Sequence, residues 1–208
     1  MSMLSYPLTR RGLGLLAAAM AVPALVPPAA AQVDTARATA FIQAAGDELV
    51  AVINQPGLNT AARQERVAAI LRRTVDIDGV GRFVLGRFWR TASPAEQQDY
   101  LRLFEASLIR NLAGRFGEYQ GVRFSLGRTQ SRTEDDALVS TVVQRPGQAA
   151  FNLDWRVAEV AGQPRIVDLI AEGTSLRLTQ RSEYASVVQR GGGQISGLLA
   201  AMRQQAAR

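Results

Sequence analysis

Two carboxylates four residues apart, Asp168 and Glu172 in the segment IVDLIAEG, are the one acid–base pair with a conspicuous spacing in this sequence. On a strand that spacing puts both on the same face. A carboxylate held inside an apolar cone suits proton transfer next to a carbonyl, the step an isomerase needs. The competing reading is structural: one or both pair with an arginine and fix the end of the strand. Little else is available for catalysis. The chain has no histidine and no cysteine, which removes imidazole bases, thiolate nucleophiles and the usual ligands of zinc, haem and iron–sulfur centres. The glycine-rich stretches GRFVLG and RGGGQ lack the lysine and Ser/Thr of a P-loop and the strand–GxGxxG–helix context of a dinucleotide site. No cofactor is expected.

A second segment carries a different chemistry. GRFVLGRFWRTASP, residues 81–94, holds Phe83, Val84, Leu85, Phe88 and Trp89 beside Arg82, Arg87 and Arg90, with no group suited to acid–base or nucleophilic work. Tyr100, Phe104, Phe124, Phe151 and Trp155 add further large apolar surface. Each of these side chains taken singly reads as core. Together, facing a small sheet, they also suit the lining of a ligand cavity.

The elements that would position them follow from periodicity. Ala38, Phe41, Ile42, Ala45, Leu49, Val52 and Ile53 recur at helical spacing, and after QPGL a second helix, capped by Asn59 or Thr60, buries Ala62, Val67, Ile70, Leu71 and Val75. Ile77, Val80, Gly81, Val84, Leu85 and Phe88 form the stripe of a short third helix. Gly86 lets the chain leave it, and Ser93-Pro94-Ala95-Glu96 reads as the capping box of a fourth that runs to about Phe116. The period then becomes two. Four strands are expected, over 122–126, 138–143, 151–157 and 165–171, in an antiparallel meander with one apolar face. A helix from Ser175 and a last helix after RGGGQ complete the chain. The fold class is α+β, a small four-stranded antiparallel sheet with helices covering one face.

The first thirty or so residues lead to the expectation that this fold is exported. Arg10-Arg11, an apolar run from Leu13 to about Val26 and Ala29-Ala30-Ala31 read as a leader over 1–31 cleaved before Gln32, of the twin-arginine type. The apolar run is short and broken by Pro23, a poor membrane span. Residues 32–208 are then the mature domain: a helical part over about 34–116, the sheet over about 121–172, and C-terminal helices over about 174–206. All 24 basic residues are arginine, and in the mature part 22 of them against 18 acids leave a charge of +4. They are dispersed among acids, so nucleic acid is not an expected partner, and the charge implies only a weak preference for anionic surfaces such as lipid headgroups.

FVLGRFWRTASPAEQQDYLRLFEASL (83–108) resembles the segment LGxxWRxAxPEQxxxFxxxFxxxL of the MlaC family, the periplasmic lipid-binding components of the maintenance-of-lipid-asymmetry transporter, also known as toluene-tolerance proteins. IVDLIAEGTSLRLTQRSEY (166–184) resembles the family's VxDVxVEGVSLxxxYRSxF. The shared positions are Leu85, Gly86, Trp89, Arg90, Pro94, Phe104, Asp168, Glu172, Gly173, Ser175 and Arg181. The resemblance implies helices and a small sheet around an apolar pocket, and a soluble, monomeric periplasmic carrier rather than an enzyme. It also implies shuttling of phospholipid between an outer-membrane lipoprotein complex and an inner-membrane ABC transporter with an MCE-domain protein. Under it, Val80, Val84, Leu85, Phe88, Trp89, Tyr100, Phe104, Leu108, Phe124, Phe151, Leu153 and Trp155 line the acyl pocket. Arg87 or Arg90 lies at the mouth, paired with a phosphate or, alternatively, in a structural salt bridge. Pro164, Gln180 and Tyr184 depart from the family pattern. TQRSEYASVVQR looks closer to a branch associated with hopanoid-making bacteria, which makes a hopanoid the alternative ligand.

Overall fold

The computed structural model describes residues 34–206 apart from 118, 120 and 134; the expected leader lies outside them. The chain runs through α1 (Thr35–Ile53), α2 (Thr60–Thr74), α3 (Ile77–Leu85), a 3-10 turn (Gly86–Arg90), α4 (Pro94–Gly117), β1 (Arg123–Ser131), β2 (Asp136–Gln144), β3 (Phe151–Val160), β4 (Gln163–Ala171), β5 (Thr174–Ser175), α5 (Leu176–Arg190) and α6 (Ser196–Ala206). Several helix starts have a local cause. The Asp34 carboxylate accepts from Ala36 N at 2.9 Å, and the Asn59 side chain accepts from Ala62 N at 2.8 Å. Ser93 N donates to Glu96 Oε2 at 2.9 Å while Glu96 N donates back to Ser93 Oγ at 3.3 Å, the reciprocal box expected from the sequence. The Ser93 backbone bond holds the Glu96 carboxyl below its usual range, with the Ser93 hydroxyl acting in the same direction. Gly86 sits at φ 60°, ψ −128°, a conformation that needs glycine, and it closes α3.

The sheet has five strands rather than the expected four, in the order β1-β2-β3-β4-β5, all neighbours antiparallel. The added strand is two residues long, too short to show an alternation. Glu172 and Gly173 both take positive φ, which folds the chain back so that Thr174 and Ser175 pair with Ala171 and Ile170. One face is covered by helices. Register stacks Val139, Trp155 and Leu169 across the middle of that face, with Thr141, Leu153 and Ala171 beside them.

Two apolar cores result. The first joins α1 and α2 to the sheet through Ile42, Leu49, Val67, Ile70, Val139 and Val157. The second is helical, formed by α3 and the 3-10 turn with α4, α5 and α6 around Val84, Leu85, Phe88, Tyr100, Phe104 and Leu199. Tyr100 is completely buried there, stacked on Phe104 with ring centroids 5.8 Å apart, and its hydroxyl donates to Gly81 O at 2.9 Å. Burial pushes this phenol well above its ordinary value, so it stays a donor. Tyr100→Phe leaves the Gly81 carbonyl without that donor and is expected to cost about 1 kcal/mol of stability, read from urea unfolding.

Candidate functional site

Between the two cores the packing is incomplete. A cavity of about 420 Å³ has its floor on the sheet at Trp155, Ile166 and Leu169, and α3 contributes Val80 and Val84 to its walls. Phe104, Leu108, Leu112 and Phe116 of α4 extend the apolar wall. Next to them, Ser107, Asn111 and Arg115 follow at four-residue spacing, a polar stripe along the same helix. From α5, Leu176, Thr179, Gln180 and Glu183 border the same space, again at one-face spacing. Leu71, Val80, Val84, Phe104 and Ile166 are buried, whereas Asn111, Arg115, Leu176, Thr179 and Glu183 are exposed. The cavity is therefore oily at its base and opens between polar edges of α4 and α5, with Arg115 and Glu183 exposed there and Arg177 half-buried in the wall.

A smaller space of about 50 Å³ lies between α1 and the strands. Ile42, Ala45, Leu49 and Ile53 of α1 face Phe124, Val143, Phe151 and Leu153 across it, and Phe116 and Tyr119 close one end. Its polar side chains are Tyr119, Trp155 and Thr141; the Thr141 hydroxyl donates to Leu153 O at 2.7 Å and accepts from Trp155 Nε1 at 3.0 Å. Trp155 and Phe116 border both spaces.

Asp168 borders the large cavity and is 5% exposed. Its Oδ1 accepts from Leu169 N at 2.9 Å and Arg177 N at 3.2 Å; its Oδ2 accepts from Ser175 Oγ at 2.6 Å and lies 3.3 Å from Arg177 Nε. Three donors thus hydrogen-bond one carboxylate and the Arg177 guanidinium pairs with it, so the first turn of α5 is tied to β4. A general base needs a lone pair open to substrate, and this carboxylate is buried, held by three donors and paired with a cation. Glu172 does not join it. That residue is exposed in the turn before β5, where its carboxylate takes the Asn152 N–H. The structural reading of the pair is the one the geometry matches. Arg177 in turn lies over the Phe83 ring at 4.4 Å, with Arg181 over the same ring at 4.8 Å and donating to Phe83 O at 3.1 Å. Burial pushes the Arg177 guanidinium down from its usual value, and Asp168 pushes it back up.

The residues expected at a pocket divide into three groups. Val80, Val84, Phe104, Leu108 and Trp155 border the large cavity; Phe124, Phe151 and Leu153, with Trp155 again, border the small one. Leu85, Phe88, Trp89 and Tyr100 border neither and pack in the helical core instead. For Phe88 and Trp89 the reason is Gly86: the apolar stripe of the sequence continues through it to Phe88, but its positive φ turns 86–90 off the helix axis. Arg87 and Arg90 are exposed on that turn, away from the mouth, and make no ion pair among the described residues; Arg87 lies over Phe88 at 4.9 Å. The mouth arginine is Arg115. Its signal was present in the sequence as the 107/111/115 polar stripe beside Leu108 and Leu112. The contribution of α1 through Ala45 and Leu49, and that of α5 through Thr179, Gln180 and Glu183, needed the tertiary structure.

Among the described residues no helix is long and apolar enough to cross a membrane, and no group of three or more acidic side chains could hold a metal ion. The family model described as MlaC protein matches residues 43–204. The toluene tolerance protein ttg2D of Pseudomonas putida is 25% identical over 184 residues, which cover 88% of this chain and 84% of that protein. A phospholipid-binding protein from Ralstonia solanacearum, solved in complex with a phospholipid, superposes with a TM-score of 0.72 at 24% identity. That alignment covers 82% of this chain and 97% of the other, and it establishes a shared fold.

Proposed function

Because this chain belongs to the MlaC family, we propose that it is a soluble periplasmic lipid carrier that holds the acyl part of a phospholipid in the α4–α5 cavity. The observation that carries the reading is the cavity itself, about 420 Å³ with an apolar floor and an exposed polar mouth. A diacyl lipid has some thirty methylenes, and at about 0.8 kcal/mol each its exposure to water costs roughly 25 kcal/mol. A carrier with an oily interior removes most of that barrier, so exchange with a membrane is nearly balanced and direction comes from docking or from a pump. The inferred partners are an inner-membrane ABC transporter with an MCE-domain protein on one side and an outer-membrane lipoprotein complex on the other. In this role the protein is the monomeric substrate-binding component of that transport system. The phospholipid in the Ralstonia relative and the toluene-tolerance name of the Pseudomonas relative point the same way.

The test is transfer of a fluorescent phospholipid from donor to acceptor vesicles. The carrier reading expects transfer proportional to protein concentration; transfer no faster than with an unrelated protein of similar charge contradicts it. Arg115 has a specific part, pairing with the lipid phosphate at the mouth. Arg115→Glu is expected to slow extraction from phosphatidylglycerol vesicles about three- to tenfold in low salt, a gap that narrows at 1 M salt, where charges are screened within about 3 Å.

A second reading has one observation in its favour. Two of the three departures from the family pattern, Gln180 and Tyr184, border the large cavity, so the lining differs where a ligand would lie. A hopanoid, rigid and with a single polar end, is the alternative cargo.

A further inference from the structure

The arginines of the segment 82–90 have no part in either cavity. From Gly79 to Ala95 the chain carries Arg82, Arg87 and Arg90 and no acid. All three are exposed, and none forms an ion pair among the described residues. Nor does Arg181, which reaches the same surface from α5. Its guanidinium donates to Phe83 O at 3.1 Å, and a Cβ on Gly86 would lie 3.1 Å from its central carbon, so α5 and the 3-10 turn share one continuous surface. Leu176 and Leu178, on the first turn of α5, are 40% and 55% exposed and are the exposed large apolar side chains among the described residues. Leu176 also borders the large cavity. A basic surface with apolar tips thus runs from the cavity mouth over Leu178 and Arg181 to Arg87 and Arg90. We propose that this surface docks the protein on an anionic lipid bilayer, with Leu178 entering the headgroup region and the arginines pairing with lipid phosphates. The docking stands on exposure and charge; its use in loading the cavity rests on the carrier reading.

Charge is the first argument. Each arginine held near an anionic bilayer strengthens association about fivefold, so several on one side count for more than the same number scattered among acids. The guanidiniums are also held in place. Arg82 lies over the Trp89 ring at 5.4 Å, Arg87 over Phe88 at 4.9 Å and Arg181 over Phe83 at 4.8 Å. A side chain already ordered on a ring loses less freedom when it meets a phosphate, and its planar fork matches the phosphate oxygens. The leucines decide between a bilayer and an acidic protein. A single exposed leucine is ordinary, but this pair stands inside a cationic surface at the rim of an apolar cavity, the composition of an element that lies in a membrane interface. Leu178 lines neither cavity. A protein partner would need a pocket shaped for it, whereas a bilayer accepts a projecting apolar side chain without one.

The test is flotation of the exported protein with vesicles of phosphatidylcholine alone or with about a third phosphatidylglycerol, in low salt and in 1 M salt, where charges are screened within about 3 Å. Wild type is expected to partition onto the anionic vesicles at least tenfold more strongly in low salt. Arg87→Glu with Arg90→Glu should remove at least tenfold of that partitioning and leave the melting temperature unchanged, because both side chains are exposed. The control is Arg128→Glu with Arg132→Glu, the same charge change at exposed positions on and just after β1, which should lower partitioning less than threefold. Leu178→Trp should shift its emission to the blue on anionic vesicles and be quenched by brominated acyl chains. Wild type that binds both vesicles alike overturns the proposal and assigns the patch to an acidic protein instead. An equal loss in the control pair overturns it too, since overall charge then suffices, and so does Leu178→Trp emission that stays unchanged on bound protein. These outcomes leave the carrier reading standing; that reading fails separately if wild type docks on the vesicles and moves no fluorescent phospholipid between them.

Discussion

Leu108→Trp combined with Leu169→Trp is expected to lower lipid occupancy at least tenfold while the protein stays folded. Both residues border the large cavity from opposite sides, one on α4 and one on β4, and both are half-buried. Forcing extra atoms into a close-packed interior costs about 1–3 kcal/mol per site. At a wall of the 420 Å³ cavity the added indoles have room, so the loss falls on the ligand. The control is Val157→Trp, at a position with no exposure in the sheet core and at neither cavity. That variant should melt well below wild type. Thermal melts followed by circular dichroism, beside lipid extraction from the same samples, separate the two behaviours. If the double tryptophan variant retains full lipid occupancy, the ligand is not held where the cavity is.

Asp168→Ala is expected to be the most destabilising single change at the site. The Asp168 side chain is 2% exposed and that of Arg177 16%. Removing one member of a buried pair leaves the other as an uncompensated charge, typically a loss of 3–5 kcal/mol. Ser175 Oγ and the Arg177 N–H lose an acceptor at the same time, so the start of α5 loosens from β4. For a domain of this size the melting temperature should fall by roughly 10 °C or more. Asp168→Asn keeps the shape and some of the hydrogen bonds, and should be intermediate in stability. Its lipid loading at a temperature where it is folded should remain near wild type. That combination, damaged stability with intact carriage, is the signature of a structural carboxylate. A folded Asp168→Asn protein that has lost its function outright would instead revive the acid–base reading.

The parts of the fold set by neighbouring residues were legible in the sequence. Helix boundaries at Asp34, Asn59 and Ser93 are written in caps that act over two or three residues, and Phe151, Leu153, Trp155 and Val157 share a face because strand alternation is local. β5 was not legible, because two residues carry no period and its pairing depends on the positive φ of Glu172 and Gly173. The site was legible by residue type more than by position. Periodicity tells that Leu85, Phe88 and Tyr100 are buried but not whether they meet another side chain or an open space; that depends on how far apart α4 and α5 sit. Arg87 and Arg90 drew attention because they cluster with aromatics in sequence. The arginine at the mouth, Arg115, stands alone in sequence and is placed by the last turns of α4. Asp168 was recognisable as unusual, yet its partners lie seven and nine residues on, beyond a turn that reverses the chain.

The most direct measurement is native mass spectrometry of residues 32–208 expressed with export to a bacterial periplasm, followed by organic extraction and identification of whatever was bound. The carrier reading predicts one phospholipid per chain, retained through purification and released by organic solvent. A hopanoid at the same stoichiometry would change the cargo and keep the role. A protein that remains empty, even after incubation with membranes, would contradict the central claim that this cavity carries lipid.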